Sequence, residues 1–303
     1  MGAVGIVFSL MAIIQAIGFT LGMGSGTIVS LHLGAKEEEK ATCAASTGFF
    51  SAIALGLALT VLGSLFVQPL MRVLGATETI LPYARDYGQY ILLAAPIMCA
   101  SFVMNNIFRC EGKSVLGMLG IGTGGILNII LDPIFIFGLG PLPRLEVKGA
   151  AIATVIGQVV TLILYLIWYF SKDMGLSLGR RNMKLTGEIC AKLYTVGVPS
   201  SLTMGLPSLL ITILNGFAAA FSPVYILILG VYFKLQSFIY LPANGIVQGM
   251  RPILSYNYGA GEKKRMRRII QICSVMILVI MAAGMLLFLL APGTVSYTHL
   301  TLP

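Results

Sequence analysis

Residues 115–139 read VLGMLGIGTGGILNIILDPIFIFGL. Twenty-five positions pass with one charged side chain, Asp132. About 20 apolar residues in a row are enough for a helix to cross the hydrocarbon of a bilayer. Lipid offers no partner to backbone polar groups, so such a run must satisfy its own by being helical. The alternating pattern of a membrane β-barrel strand is absent from it. This run therefore sets the class of the whole chain as an α-helical membrane protein.

Working outward, seven more runs of the same kind appear, at 4–33, 43–70, 88–108, 147–170, 193–221, 223–250 and 269–291. The chain is 57% hydrophobic and 10% charged, with a mean hydropathy of +0.92. A soluble domain carries about a quarter charged residues. The first run is too long for a cleavable leader and has no basic start. Five cysteines, at 43, 99, 110, 190 and 273, show no paired spacing and read as small buried hydrophobes. The net charge of +9 reads as basic cytoplasmic loops, not as a nucleic-acid surface. With the loop after the first run placed inside, the inner loops hold Lys36, Lys40, Arg109, Lys113, Lys172, Arg180, Arg181, Lys184, Lys192, Lys263, Lys264, Arg265, Arg267 and Arg268. The outer loops hold Arg72, Arg85, Arg144 and Lys148. That bias fixes one orientation. It also starts the chain outside, which suggests a helix before Met1.

The runs contain Pro96, Pro133, Pro199, Pro207 and Pro242. Each proline frees a carbonyl four residues earlier, which is tolerable only where neighbouring helices or water re-satisfy it. So many interrupted helices favour a transporter or channel over an anchor. The polar, basic loop at 172–192 divides the runs into an N-terminal lobe at 1–171 and a C-terminal lobe at 193–294.

The chain also repeats itself. At an offset of 225 residues, ten of 33 consecutive positions are identical, from Gly5 on Gly230 to Glu37 on Glu262. The match is sharpest where 28–35, IVSLHLGA, meets 253–260, ILSYNYGA. Both copies run from outside to inside, so the repeat is parallel, with an axis along the membrane normal.

Three stretches are similar to one known family. Residues 22–35, GMGSGTIVSLHLGA, resemble the end of the second helix of multidrug and toxic compound extrusion (MATE) exporters. Residues 128–138, NIILDPIFIFG, with 149–154, GAAIAT, resemble their fifth and sixth helices, and 241–261, LPANGIVQGMRPILSYNYGAG, their eighth. The resemblance covers residues 1 to about 292. It implies an all-α polytopic membrane fold of two lobes, of which this chain carries helices two to nine of twelve. The tail 295–303, VSYTHLTLP, resembles translated adapter sequence and is read as non-native.

Among eleven acidic residues, Asp132 alone lies deep in a span. An ionisable group there costs roughly 2.5–3.5 kcal/mol on insertion scales and is a functional candidate by default. Asn128, four positions earlier, shares its helix face. Pro133 relieves the carbonyl of Ile129 of its donor. Such oxygens suit Na⁺, and a carboxylate in a dry site can instead carry a proton. A structural capping or pairing role for Asp132 is the bland alternative. The resemblance implies a cation site of Asp132, Asn128 and Thr154, completed in the family by an acid of the first helix. Lys234 stands inside a span, free to position substrate, pair with an acid or snorkel outward. Asn105, Gln236, Asn244 and Gln248 are candidates for a substrate cavity, or for capping and interhelical hydrogen bonds.

The expected activity is Na⁺- or H⁺-coupled antiport that exports organic cations from a bacterial cell, across the cytoplasmic membrane, by alternating access. No cofactor beyond the coupling ion, no nucleic-acid partner and a monomer in the lipid bilayer are expected. A lipid-linked saccharide flippase and an inactive fragment of a transporter are the alternatives. The spans hold no paired Asp, Ser/His pair or His-Glu cluster, so no enzyme is expected.

Overall fold

The computed structural model describes residues 2–138, 143–171, 175–183, 187–221 and 223–290. Among them are nine α-helices and no strand: α1 Gly2–Gly34, α2 Glu38–Leu65, α3 Val67–Val73, α4 Leu81–Cys110, α5 Ser114–Phe137, α6 Glu146–Ser171, α7 Gly187–Phe221, α8 Pro223–Gly259 and α9 Lys263–Leu290. A single 3₁₀ turn covers Arg180–Asn182. Each of the eight expected runs is helical over its described residues, apart from turn positions at Phe66 and Gly138. Six of the helices (α1, α2, α4, α5, α6 and α9) are long and apolar enough to cross a membrane. The chain has an all-α polytopic membrane fold. The tail at 295–303 lies outside the described residues.

One run divides where a single helix was expected. The stretch 43–70 is two helices that part at Phe66, because Pro69 offers no N–H to the Leu65 carbonyl and its ring crowds it. The same proline chemistry is resolved differently in α4, which runs unbroken through Pro96. Pro96 frees the carbonyl of Leu92, and Thr60 of α2 donates its hydroxyl to that oxygen at 2.6 Å. Gly56, one turn away, lets the α2 backbone lie directly on Pro96. The interrupted bond of one helix is thus repaired by its neighbour. Thr60→Val keeps the side-chain shape and strands the carbonyl. The expected loss is about 1 kcal/mol, read as a lower melting temperature in detergent.

The described residues form two compact units that part between Gly205 and Leu206, inside α7. In the first, α4 is the central helix and packs against α1, α2, α3, α5 and α6. Its buried face carries Ile91, Leu92, Met98, Val103, Met104, Ile107 and Phe108, all at most 1% exposed. The start of α7 joins this unit: Leu193 is buried against Gly24, and Gly197 meets the backbone of Thr20. In the second unit α8 packs on α9, with Ile239 seated at Gly284.

The sequence repeat is a repeat of hydrogen bonds. After α1, the N–H groups of Ala35, Lys36 and Glu37 reach the carbonyls of Leu31, Leu33 and His32. After α8, those of Ala260, Gly261 and Glu262 reach Tyr256, Tyr258 and Asn257. Each pair differs by the offset of 225. Lys36 and Gly261 occupy the same left-handed position, with φ of 60° and 73°. A glycine there costs nothing, and Lys36 tolerates it because the turn around it is tied down. His32 Nδ1 lies 2.6 Å from Glu37 Oε2, and Lys40 donates to the other carboxylate oxygen at 2.7 Å. These two hydrogen bonds, that of Lys40 foremost, hold Glu37 below the ordinary carboxylate range.

Candidate functional site

Helix α5 lies against α6 along a seam of small residues. Gly117, Gly120 and Gly124 of α5 are buried at helical spacing. Tyr165 and Thr161 of α6 fill the space at Gly120 and Gly124, and Asn105 of α4 fills that at Gly117. Small residues let helix backbones approach closely in a membrane, where burial in protein wins little over burial in lipid. Thr161 donates to the carbonyl of Gly157 at 2.9 Å and lies 3.2 Å from that of Gly120. Tyr165 donates to the carbonyl of Gly117 at 2.6 Å. Asn105 of α4 donates to the same carbonyl and to the Tyr165 oxygen, both at 3.0 Å. Asn105 is therefore taken up in a buried network that locks α4, α5 and α6 together.

This lock sets the register of the next turns. It brings Asn128 and Asp132 of α5 opposite Thr154 of α6. The Asn128 amide nitrogen lies 3.2 Å from Asp132 Oδ1 and 3.4 Å from Thr154 Oγ1. Thr154 in turn donates to the carbonyl of Ala150 at 2.9 Å. All three residues are half-buried. The structure adds a fourth group. Tyr87 of α4, 4% exposed, brings its hydroxyl to Thr154 and into range of the Asp132 charge. Sequence reasoning missed it because a tyrosine on an apolar helix gives no local signal. Beside it Asp86 pairs with Lys148 of α6 at 3.0 Å, which ties α4 to α6 once more.

The cluster borders a cavity of about 320 Å³. Asn128 and Thr154 line it, with Gln15 of α1, Ser101 of α4 and Gln158 of α6 as the other polar side chains that bear an amide or a hydroxyl near its wall, alongside Thr161. Ser101 Oγ is buried and has no hydrogen-bond partner among the described residues. No charged side chain lines the cavity among the described residues. The chain's relatives can be placed against this geometry. The family profile described as MatE matches residues 1–134 and 199–299. This chain belongs to the MatE family. It is 31% identical to the "Multidrug export protein MepA" of Staphylococcus haemolyticus, over 99% of the chain and 66% of that protein. To the protein of the same name from Staphylococcus aureus (strain MRSA252) it is 30% identical, over 89% of the chain and 58% of the relative. It thus spans less than two thirds of the length of these curated relatives. Among solved structures, the outward-facing conformation of a multidrug resistance MATE family transporter superposes with a TM-score of 0.87 at 28% identity. That superposition covers 98% of this chain and 65% of the other.

The remaining candidates of this MatE protein lie on α8, in the second unit. Gln236 is exposed and Asn244 half-buried. Gln248 is half-buried, with its Oε1 shut off from solvent and unpaired among the described residues. The side chain of Lys234 lies outside the described residues.

Proposed function

We propose that the protein is a cation-coupled antiporter that exports organic cations across the cytoplasmic membrane of a bacterium. The observation that carries this reading is the cluster of Asn128, Asp132, Thr154 and Tyr87 at the edge of a membrane cavity. The printed names of its relatives, multidrug export proteins, support the same direction. Na⁺ or H⁺ is the coupling ion. The Asn128 amide now donates toward the two oxygens that a cation would hold. Turned about its terminal bond, the same amide presents its own oxygen between them. That supplies a carboxylate, an amide oxygen and a hydroxyl, hard ligands of the kind that suit Na⁺. A proton instead neutralises Asp132 alone and leaves Asn128 a weaker acceptor to hold.

Either ion removes a net negative charge from a half-buried site that joins α5 to α6 and α4. An ion can shift the facing state of a transporter only through different affinities for its two states. The cluster spans three helices, so a change in their register changes the ligand geometry, and this is the lever we assign to it. The organic substrate moves through the cavity side of these helices. The polar but uncharged wall of Gln15, Ser101 and Gln158 offers it hydrogen bonds without a fixed ion pair. The protein acts as a monomer in the lipid bilayer.

The test is transport in proteoliposomes preloaded with a fluorescent organic cation. Imposing an inward Na⁺ gradient or an inward proton gradient is expected to accelerate efflux of the dye, and only one of the two is expected to do so strongly. Efflux that ignores both gradients overturns the reading.

A further inference from the structure

The repeat that joins α1 to α8 runs on into the helices that follow, and there the two copies differ in charge. At the offset of 225, Glu38, Glu39 and Lys40, which open α2, fall on Lys263, Lys264 and Arg265, which open α9. Thr42 and Cys43 fall on Arg267 and Arg268. The N-terminus of a helix carries a partial positive charge, so acids are favoured in its first turn and cations are not. Helix α2 follows that rule with Glu38 and Glu39, whereas α9 has no acid in its first turn. The shared turn geometry therefore does not call for the basic residues of α9, and three of the five stand where the helix itself disfavours them.

All five side chains are exposed. Glu262, the one acid beside them, is exposed as well, and none of the six takes part in an ion pair among the described residues. At about 100° per residue the five sweep one arc of about 200°. The half-buried stripe of α9, Met266, Ile269, Cys273 and Ile277, lies on the other side, in line with Gly284, which receives Ile239 of α8. Below the basic arc, on the same face, the helix turns apolar: Val275 is 58% exposed and Val279 60%. In the first unit the matching positions of α2, Thr42 and Cys43, are buried. Arginines there are too large and too highly charged to be enclosed without partners, so this face of α9 stays at the surface. A charged arc followed by an apolar stripe on one face of a spanning helix matches the order of a phospholipid, headgroup first and chains below.

We propose that the inner end of α9 is a docking surface for anionic phospholipid of the cytoplasmic leaflet: Lys263, Lys264, Arg265, Arg267 and Arg268 hold the phosphate headgroups, and an acyl chain lies along Val275 and Val279. This rests on the membrane fold and not on the export reading. The cytoplasmic leaflet is the anionic one, and each Lys or Arg close to it strengthens binding about fivefold. Arg267 and Arg268 can each grip a phosphate through two parallel N–H donors, a geometry that an ammonium lacks. The same negative charge satisfies the positive end of the helix, so the lipid offsets what the five cations cost α9. An RNA or an acidic protein would meet the charges equally well, but neither would use the apolar stripe beneath them.

The chain holds one tryptophan, Trp168. In the full chain carrying Trp168→Phe, a reporter at Val275→Trp sits two turns below Arg268. A second at Leu286→Trp lies on the same face near the far end of α9, where the side chain is also exposed. Each protein is placed in phosphatidylcholine nanodiscs with brominated phosphatidylglycerol or brominated phosphatidylcholine as the quencher. Phosphatidylglycerol is expected to be preferred about tenfold at Val275→Trp, and less in high salt, while the two lipids quench equally at Leu286→Trp. Changing Lys264, Arg267 and Arg268 together to Gln is expected to bring the ratio at Val275→Trp to within about twofold of one. Arg267→Lys with Arg268→Lys keeps the charge and is expected to keep a preference for the anionic lipid. Equal quenching at Val275→Trp, the same preference at Leu286→Trp, or a preference that survives the triple Gln variant overturns the proposal. So does loss of the preference on adding micromolar single-stranded RNA, which would give the surface to a soluble polyanion. If the triple variant does not insert, the two reporters decide, because they leave every basic residue in place.

Discussion

Asp132→Asn is expected to abolish gradient-driven efflux while the protein still inserts into the membrane at its normal level. The substitution is nearly isosteric and removes only the charge and the titratable proton. Asn128 can still lie against the new amide, so the α5–α6 packing around it, built on Gly117, Gly120 and Gly124, is untouched. The coupling ion proposed for this site, however, would lose its one charged ligand. Charge-assisted contacts contribute roughly 1.5–3 kcal/mol, so the affinity for the coupling ion is expected to fall about ten- to a hundredfold. A proton-coupled mechanism fails for a simpler reason, since an amide does not titrate. Asp86→Asn is the matched control. It removes an acid one residue from Tyr87 whose partner is the exposed Lys148. Exposed pairs of this kind contribute about 0–1 kcal/mol. Efflux near the wild-type rate is expected from it. Should Asp132→Asn export as well as the wild type, the cation chemistry lies in another part of the protein.

Gly124→Val is expected to be the most damaging change to the fold. A Cβ at Gly124 would press into the Thr161 hydroxyl and stand 2.7 Å from the carbonyl oxygen of Gly157. The relation is mutual, because a Cβ at Gly157 would stand 2.8 Å from the carbonyl oxygen of Gly124. Backbone meets backbone here, so no side chain can swing aside. The helices must separate, and overpacking of this sort costs about 1–3 kcal/mol before any polar loss is counted. The polar loss follows at once, since Thr161 holds the Gly120 and Gly157 carbonyls. Asn128 sits one turn beyond Gly124 and moves with it. Both the melting temperature in detergent and efflux are therefore expected to drop together. Gly122→Ala, on the same helix with open space around it, is the control. It is expected to be neutral or to gain up to about 1 kcal/mol from helix propensity. Equal melting temperatures for Gly124→Val and the wild type would show that the seam does not hold α5 to α6.

Much of this molecule is legible in its sequence. Hydropathy over twenty residues is a local property, so the helices and their membrane character follow from the chain itself. The turns after α1 and α8 were visible as a repeat, because a helix stop is written in a few adjacent residues. Asn128 and Asp132 were legible as neighbours because residues four apart share a helix face. Pro69 is the instructive miss. It lies at the edge of an apolar run, where composition continues and the hydrogen-bond ladder does not.

What no local pattern contains is the register between helices distant in sequence. That Thr154 faces Asn128 depends on the glycine seam of α5 and on the lock of Asn105 and Tyr165 over the Gly117 carbonyl. Tyr87 joins Asn128, Asp132 and Thr154 only because α4 is the central helix of its unit. The Thr60 hydroxyl meets the Leu92 carbonyl only because Gly56 admits Pro96. Tyr169 is buried near the end of α6 because the carbonyl of Leu176 and the N–H of Leu178 fold back onto its hydroxyl. The physical reason is the same each time. Residue type and spacing determine what a segment can satisfy by itself. The partners of a hydroxyl or a freed carbonyl are supplied by other helices, and only their packing decides which.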